Sequence, residues 1–272
     1  MQELTIETFG PVKRFELSAS IFGNPIMPTS CYFVDGILID TGQAHARRGV
    51  QDLVRQLAIE SVVLTHYHED HSGNAAAIQN IKQVPVYGHP LTVKILKKGF
   101  GIRPYQYIMW GKSQPAELDP IPRIVEGGQY ILEPIHTPGH SSDHLSFYVA
   151  KEGWLFSGDL FLSSRIRYFR SDEDIAETIS SLKRVLALDF DALFCAHNPK
   201  PAQGKRVLKQ KLDFLEDLYG EVSNLVAKGL DRSSIFNNYK ESEARKVKLI
   251  TLGDVSYKNL IRSALKNFVE KV

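Results

Sequence analysis

Three histidines and one aspartate lie within six residues of the chain, at His66, His68, Asp70 and His71. Imidazole nitrogens together with a carboxylate suit Zn²⁺ and other borderline divalent metals. At the histidine content of this chain, the pattern H-x-H-x-D-H arises by chance with a probability on the order of 10⁻³. The spacing therefore predicts a metal site, with polar loop residues as the rejected alternative.

Three further residues that could bind a metal each come just after a short apolar run. They are His140, Asp159 and His197. The four-residue cluster has the same placement, because it follows the apolar residues 61–64. A lone His or Asp at a strand end is usually a capping group. Four repeats of one placement instead predict a shared site at the carboxyl ends of neighbouring strands, where open α/β sheets place their ligands.

Short strands that alternate with helices must position these residues. Apolar, β-branched runs predict strands at 4–9, 30–34, 37–39, 62–65, 84–87, 130–135, 145–149 and 192–195. Helical patterns are predicted at 45–57, 72–80 and 172–188, and the last of these opens with acidic residues. This order indicates an α/β protein built in layers.

The residues after His197 differ in character from those before it. Apolar positions at a spacing of three and four predict a long helix over 204–229 and a second helix over 256–269. We therefore expect a catalytic domain over 1–200 and a helical extension over 201–272. The extension has fourteen Lys and Arg against nine Asp and Glu, which is typical of a solvated helical surface. Its apolar stripes leave an oligomer possible.

Composition excludes several classes of protein. Hydrophobic residues make up 43% and charged residues 24% of the chain, as in ordinary globular proteins rather than disordered ones. The net charge of +2 is too small to indicate nucleic acid or a membrane as a bulk partner. The N-terminal residues lack the apolar run of a signal peptide, and the two cysteines, Cys31 and Cys195, are too few for a disulfide framework. These features predict a cytoplasmic location.

Taken together, H-x-H-x-D-H at 66–71, T-P-G-H at 137–140, S-G-D at 157–159 and the late His197 resemble the metallo-β-lactamase superfamily. The resemblance covers roughly residues 30–200. It implies a four-layer αββα sandwich with a dinuclear metal site at one edge. It also implies the ligands: His66, His68 and His140 for the first metal, Asp70, His71 and His197 for the second, and Asp159 as the bridge.

Residue differences from individual branches of the superfamily narrow the set of branches that this chain resembles. The B1 β-lactamases have Arg in place of His71 and Cys in place of Asp159, and the B3 β-lactamases lack the bridging aspartate. Flavodiiron proteins have Glu in place of His68. What remains is similar to glyoxalase II, the lactonases and the metal-dependent nucleases.

The expected activity is hydrolysis by a hydroxide that bridges two divalent ions, which lower the pKa of the parent water. Zinc is expected, with iron or manganese as alternatives. The expected substrate is a small ester, thioester or lactone, and Asp70 is expected to move the proton from nucleophile to leaving group. A ribonuclease or phosphodiesterase is the alternative, although nucleic acid is not favoured as a partner. A non-catalytic metal-binding module is the third reading.

For other residues the sequence gives weaker evidence of a functional role. Asp40 is expected to support the metal ligands from behind, and His144 to support or pack rather than bind metal. The aromatic stretch 100–110 could be a lid over the site or part of the core. Arg165, Arg167 and Arg170 follow Asp159, and an anionic substrate is expected if any of them turns towards the metals.

Overall fold

Two β-sheets pack face to face in the computed structural model, which describes residues 2–21 and 24–269. The first sheet follows chain order: β1 (Gln2–Phe9), β2 (Val12–Ile21), β3 (Asn24–Val34), β4 (Ile37–Ile39), β5 (Ser61–Val63), β6 (Val86–Gly88) and β7 (Asp119–Pro120). Strands β1 to β4 pair antiparallel, whereas β4 to β7 pair parallel. The parallel half of this sheet directs the ends of β4 and β5 to one edge.

The second sheet also keeps neighbours in chain order: β8 (Val125–Glu126), β9 (Ile131–His136), β10 (Leu145–Val149), β11 (Trp154–Gly158) and β12 (Ala192–Cys195). Its pairs are antiparallel except for β11 with β12, which is parallel. Each strand predicted from the sequence overlaps one of these strands. Strands β2, β7 and β8 were not predicted, and β11 was indicated only by the apolar run before Asp159.

Helices cover the sheets and form the end of the chain. They are α1 (Arg47–Gln56), α2 (Glu69–Ser72), α3 (Ala75–Lys82), α4 (Pro90–Lys98), α5 (Pro104–Met109), α6 (Ile175–Leu186), α7 (Gly204–Ala227), α8 (Arg232–Asn238), α9 (Arg245–Ile250) and α10 (Tyr257–Val269). The predicted helix over 72–80 corresponds to α3, which begins at Ala75, and the short helix α2 precedes it. None of the helices in the described ranges is long and apolar enough to cross a membrane.

Alternating side chains of the central strands divide the core into layers. Leu38 and Val62 pack in a cluster with residues of α1 and α3, whereas Ile37, Ile39 and Val63 pack in a cluster with residues of the second sheet. Successive residues of a strand point to opposite faces, so both faces of this sheet are buried. The αββα sandwich expected from the resemblance is confirmed.

The third hydrophobic cluster joins the second sheet to the end of the chain. Leu155 and Leu193 of that sheet share it with Leu182 of α6, Leu215 of α7 and Leu260 of α10. Burial of large aliphatic side chains stabilises a fold by about 1.5–3 kcal/mol each. Helices α7 and α10 are therefore packed onto the sandwich along their apolar stripes.

Candidate metal centre

Two clusters of His and Asp side chains lie just beyond the carboxyl ends of β5, β9, β11 and β12. Within each cluster the candidate ligand atoms lie within 4.8 Å of one another. The first cluster consists of His66, His68 and His140, and the second of Asp70, His71, Asp159 and His197. The structure thus brings together all seven residues that the sequence predicted as ligands.

In the first cluster, each of the three imidazole rings directs one nitrogen towards the other two rings. Nδ1 of His68 lies 2.8 Å from Nε2 of His66 and 3.0 Å from Nε2 of His140. Burial lowers the pKa of His66 and of His68 well below its usual value, and the charges of neighbouring groups lower both further. The two rings are therefore neutral at pH 7, which is the form that binds a metal.

The second cluster is centred on the carboxylate of Asp159. Oδ1 of Asp159 lies 3.3 Å from Nε2 of His71 and 3.4 Å from Nε2 of His197. Its other oxygen, Oδ2, lies 3.4 Å from Nε2 of His140, which belongs to the first cluster. Oδ2 of Asp70 is 3.6 Å from Nε2 of His197. One carboxylate therefore faces both clusters.

The donor atoms of the second cluster fit a divalent metal. Nε2 of His71 and Oδ1 of Asp159 are buried and have no hydrogen-bond partner within the described residues. Buried polar atoms normally have such a partner, and a metal ion would take that role here. Burial alone would raise the pKa of Asp159, but His197 and His71 beside it hold the pKa well below its usual value. The carboxylate is ionised, as a metal ligand must be.

Asp40 lies behind the second cluster. It is buried, with a φ of 61°, at the turn after β4. Oδ1 accepts a 2.8 Å hydrogen bond from the backbone N–H of Thr65, and Oδ2 lies 2.7 Å from Nδ1 of His71. Asp40 thus contacts the ring of this candidate ligand from the side opposite the cluster.

His144 contacts the backbone of a candidate ligand. Its Nε2 accepts a 3.1 Å hydrogen bond from the N–H of Asp159, and its Nδ1 lies 2.8 Å from the Thr137 hydroxyl. The ring belongs to neither cluster.

Sequence reasoning missed two groups that hold histidines from behind. Oε1 of Glu173 lies 3.3 Å from Nδ1 of His140, and the carbonyl oxygen of Pro28 lies 2.9 Å from Nδ1 of His197. Such partners fix the ring orientation and tautomer of a metal-binding histidine. The acidic residues 172–174 carried the only signal for Glu173, and they were interpreted as the start of a helix.

A cavity of about 490 Å³ opens onto both clusters and is lined by His68, Asp70, His140, Asp159 and His197. Tyr105, Met109 and Trp110, in and just after α5, form part of its wall, whereas Tyr107 and Ile108 are exposed. The stretch 100–110 therefore borders the site. Residues of α9 and the segment after it line the cavity too, namely Val247, Ile250, Thr251 and Val255.

Three cationic side chains also line this cavity. Arg167 and Arg170 come from the segment after Asp159, and Lys211 comes from α7. Arg165 is exposed and is not among the lining residues. Nζ of Lys211 donates a 2.6 Å hydrogen bond to the carbonyl oxygen of Leu160.

Curated relatives of this chain include hydrolases. The hydroxyacylglutathione hydrolase of Legionella pneumophila (strain Lens) is 34% identical over 147 residues, which are 52% of this chain and 49% of the relative. The atrochrysone carboxyl ACP thioesterase of Aspergillus fumigatus is 28% identical over 205 residues, 70% of this chain and 58% of the relative. The chain thus spans about half of the length of these relatives.

Solved structures have the same fold. A metallo-beta-lactamase from Pontibacter korlensis superposes with a TM-score of 0.63 at 20% identity, over 79% of this chain and 99% of that one. TTHA1623 in a di-iron-bound form superposes with a TM-score of 0.57 at 25% identity, over 71% of this chain and 96% of that one. Residues 25–197 match the family described as the metallo-beta-lactamase superfamily. Because this match covers more than half of the sequence, the chain belongs to the metallo-beta-lactamase superfamily.

Proposed function

We propose that this protein is a dinuclear metal-dependent hydrolase that acts on a thioester, ester or lactone. The observation that carries the proposal is the placement of the Asp159 carboxylate, whose two oxygens face the two clusters at 3.3–3.4 Å. His66, His68 and His140 would hold one ion, and Asp70, His71 and His197 the other. Zinc suits this mixed set of ligands, and a related solved structure is described as di-iron-bound.

Two bound divalent ions would supply a water of lowered pKa and polarise the oxygen of the scissile carbonyl. The remaining steps, binding of the metals and transfer of the proton, belong to the side chains of this protein. The neutral rings of His66 and His68 present lone pairs rather than protons. Asp70 lines the cavity, and the Thr29 hydroxyl lies 3.4 Å from its Oδ2. From that position its carboxylate would accept a proton from the attacking water and pass it to the leaving group.

The substrate class is supported by the relatives and by the cations of the cavity. The relatives' names describe hydrolysis of an acyl group held by glutathione or by a carrier protein. Arg167 and Lys211 add positive charge to the same cavity as the ligands. A guanidinium matches a carboxylate in two hydrogen bonds, so we propose a substrate that carries an anionic group.

Metal content and substrate range test this proposal together. Mass spectrometry should find about two metal ions per chain in the wild type and fewer in Asp159→Ala. Asp52→Ala, which changes an exposed carboxylate of α1, should leave the content unchanged. The metal-loaded protein should cleave an acyl thioester. A chain that binds no offered metal, or that cleaves bis-p-nitrophenyl phosphate and no carbonyl substrate, would overturn the proposal.

A variant of Arg167 tests the anionic group. Arg167→Met should raise KM for a thioester that carries a carboxylate, with little change for a neutral thioester of the same size. Arg165→Met is the matched control, because Arg165 is exposed outside the cavity. An equal effect on both substrates would contradict the assignment.

A further inference from the structure

The walls of the cavity are mainly apolar, although its floor contains metal-ligand candidates. Aliphatic, aromatic and thioether side chains come from four separate segments, including Met109, Trp110, Leu162, Ile166, Val247 and Val255. Small-molecule sites typically have volumes of about 300–1,000 Å³ and a few polar groups among apolar walls. This cavity, at about 490 Å³, has both properties.

A purely polar substrate would leave these walls in contact with water. Exposed apolar area costs about 25 cal/mol per Å² relative to burial, so an apolar group of the substrate would gain affinity by covering it. The reacting carbonyl has to lie at the ligand clusters, which line the same cavity. A molecule that fills the site therefore carries an apolar group next to its reacting carbonyl, while Arg167, Arg170 and Lys211 leave room for an anionic group elsewhere in the same cavity.

We infer that the substrate carries a medium-length aliphatic or aryl acyl group, and that the segment from Val247 to Val255 forms the wall that limits its length. The inference rests on the proposed hydrolase function and names its substrate class. Val247 and Ile250 belong to α9, and Val255 comes just before α10. This part of the chain lies some fifty residues beyond His197, so acyl-chain selectivity is set outside the metal-ligand motifs.

The wall segment is fixed from two sides. Asp254, which is buried, accepts a 2.7 Å hydrogen bond from the Tyr105 hydroxyl and a 2.6 Å hydrogen bond from the Ser171 hydroxyl. Glu243 accepts hydrogen bonds from the backbone N–H groups of Tyr257 and Lys258. The Asp254 contacts join the segment to α5 and to the loop that follows Asp159, and the Glu243 contacts join the chain just before α9 to the start of α10.

A homologous series of substrates tests the inference. The zinc-loaded protein is assayed with straight-chain acyl thioesters of N-acetylcysteamine, from acetyl to dodecanoyl. Each buried methylene is worth about 0.8 kcal/mol, which corresponds to about a fourfold rise in kcat/KM per methylene. We expect that rise until the cavity is filled, followed by a plateau or a fall. Hydrolysis of the acetyl thioester with no rise along the series would overturn the inference and leave the proposed function standing.

Two isomeric side chains of α9 provide a matched pair. Ile250 is 66% exposed and lines the cavity, whereas Leu249 is 76% exposed and does not. Ile250→Asn should lower kcat/KM for the best long-chain thioester at least fivefold more than for the acetyl thioester. Leu249→Asn should change neither. Equal effects of the two variants would contradict the assignment of the wall.

A binding measurement separates this inference from the proposed function. Straight-chain carboxylates from acetate to dodecanoate are titrated into the zinc-loaded protein by calorimetry. Affinity should increase with chain length in the wild type and less steeply in Ile250→Asn. If no thioester, ester or lactone is cleaved but this increase is found, the hydrolase proposal fails and the apolar acyl site stands. If affinity does not depend on chain length, the site is not an acyl site.

Discussion

Nδ1 of His71 donates a 2.7 Å hydrogen bond to Oδ2 of Asp40, which lies 31 residues earlier in the chain. Asp40 also accepts hydrogen bonds from the backbone N–H and the hydroxyl of Thr65, each 2.8 Å long. The carboxylate is thus fixed at three points. It holds the proton of His71 on Nδ1, so Nε2 is the nitrogen that faces the second cluster and would bind a metal there.

Removal of this carboxylate should weaken metal binding. Asp40→Ala should lower the metal affinity of the second cluster about 10- to 100-fold, because the His71 ring loses its orientation and tautomer. Competition with a chromophoric chelator measures the change. The control is Asp52→Ala, and unchanged affinity in Asp40→Ala would show that His71 is oriented by packing alone.

Glu173 should have the corresponding role for His140 in the first cluster. Its Oε1 lies 3.3 Å from Nδ1 of His140, so Glu173→Ala should lower metal affinity about tenfold. Glu177→Ala alters an exposed acid of the same region and should have no effect. The same chelator competition checks both variants, and equal affinities would assign Glu173 a role only in the local loop.

Gly158 precedes Asp159 and admits no side chain. Its φ is +48°, and a Cβ there would lie 2.7 Å from Nε2 of His144 and 2.9 Å from Cβ of Thr65. Gly158→Ala should reduce the free energy of unfolding by about 3 kcal/mol, from backbone strain and overpacking combined. Gly10 has a φ of +58° with no atom near its Cβ position, so Gly10→Ala should cost only about 1 kcal/mol. Urea unfolding compares the two, and similar losses would show that His144 moves freely.

Lys211 should make stability depend on alkaline pH. Burial lowers the pKa of its ammonium from 10.5 to about 8. Below pH 8 the folded protein carries the full cost of the buried charge. Between pH 8 and 10.5 the unfolded chain binds more protons, so stability rises with pH. At pH 7, Lys211→Met should therefore have a free energy of unfolding about 2 kcal/mol higher than that of the wild type. Urea unfolding measures this difference.

The difference between Lys211→Met and the wild type should shrink as the pH approaches 10.5. Lys209→Met, which changes an exposed lysine of the same helix, should show no such trend. A constant difference at all pH values would mean that Lys211 contributes through packing alone.

The positions of the candidate ligands could be predicted from the sequence because they follow strands that are apolar and buried. His66, Asp159 and His197 come one to three residues after β5, β11 and β12. Asp40 could be identified by the same rule. The layered α/β arrangement could be predicted from the alternation of strands and helices, because the apolar periodicity of each element reflects which of its side chains are buried.

Strand β2 was missed because its apolar pattern is interrupted by charge. Arg14 is buried there and forms one ion pair with Glu7 of β1 and another with Glu16 of β2 itself, so ion pairs replace part of the expected alternation. Glu173 was missed for another reason. It reaches the site only through tertiary packing, and no spacing in the sequence records that contact.

Each ligand cluster takes residues from both sheets. In the first cluster, His66 and His68 follow a strand of the first sheet, and His140 follows a strand of the second sheet. In the second cluster, Asp70 and His71 follow the first sheet, and Asp159 and His197 follow the second. On the proposed assignment, any ion that binds is a crosslink across the sandwich. Folding and metal supply are then thermodynamically linked, and free metal at a hundred times its Kd would add about 2.7 kcal/mol to stability per site. A cell short of metal would lose folded protein as well as the proposed activity, so the abundance of this protein would itself report the metal supply.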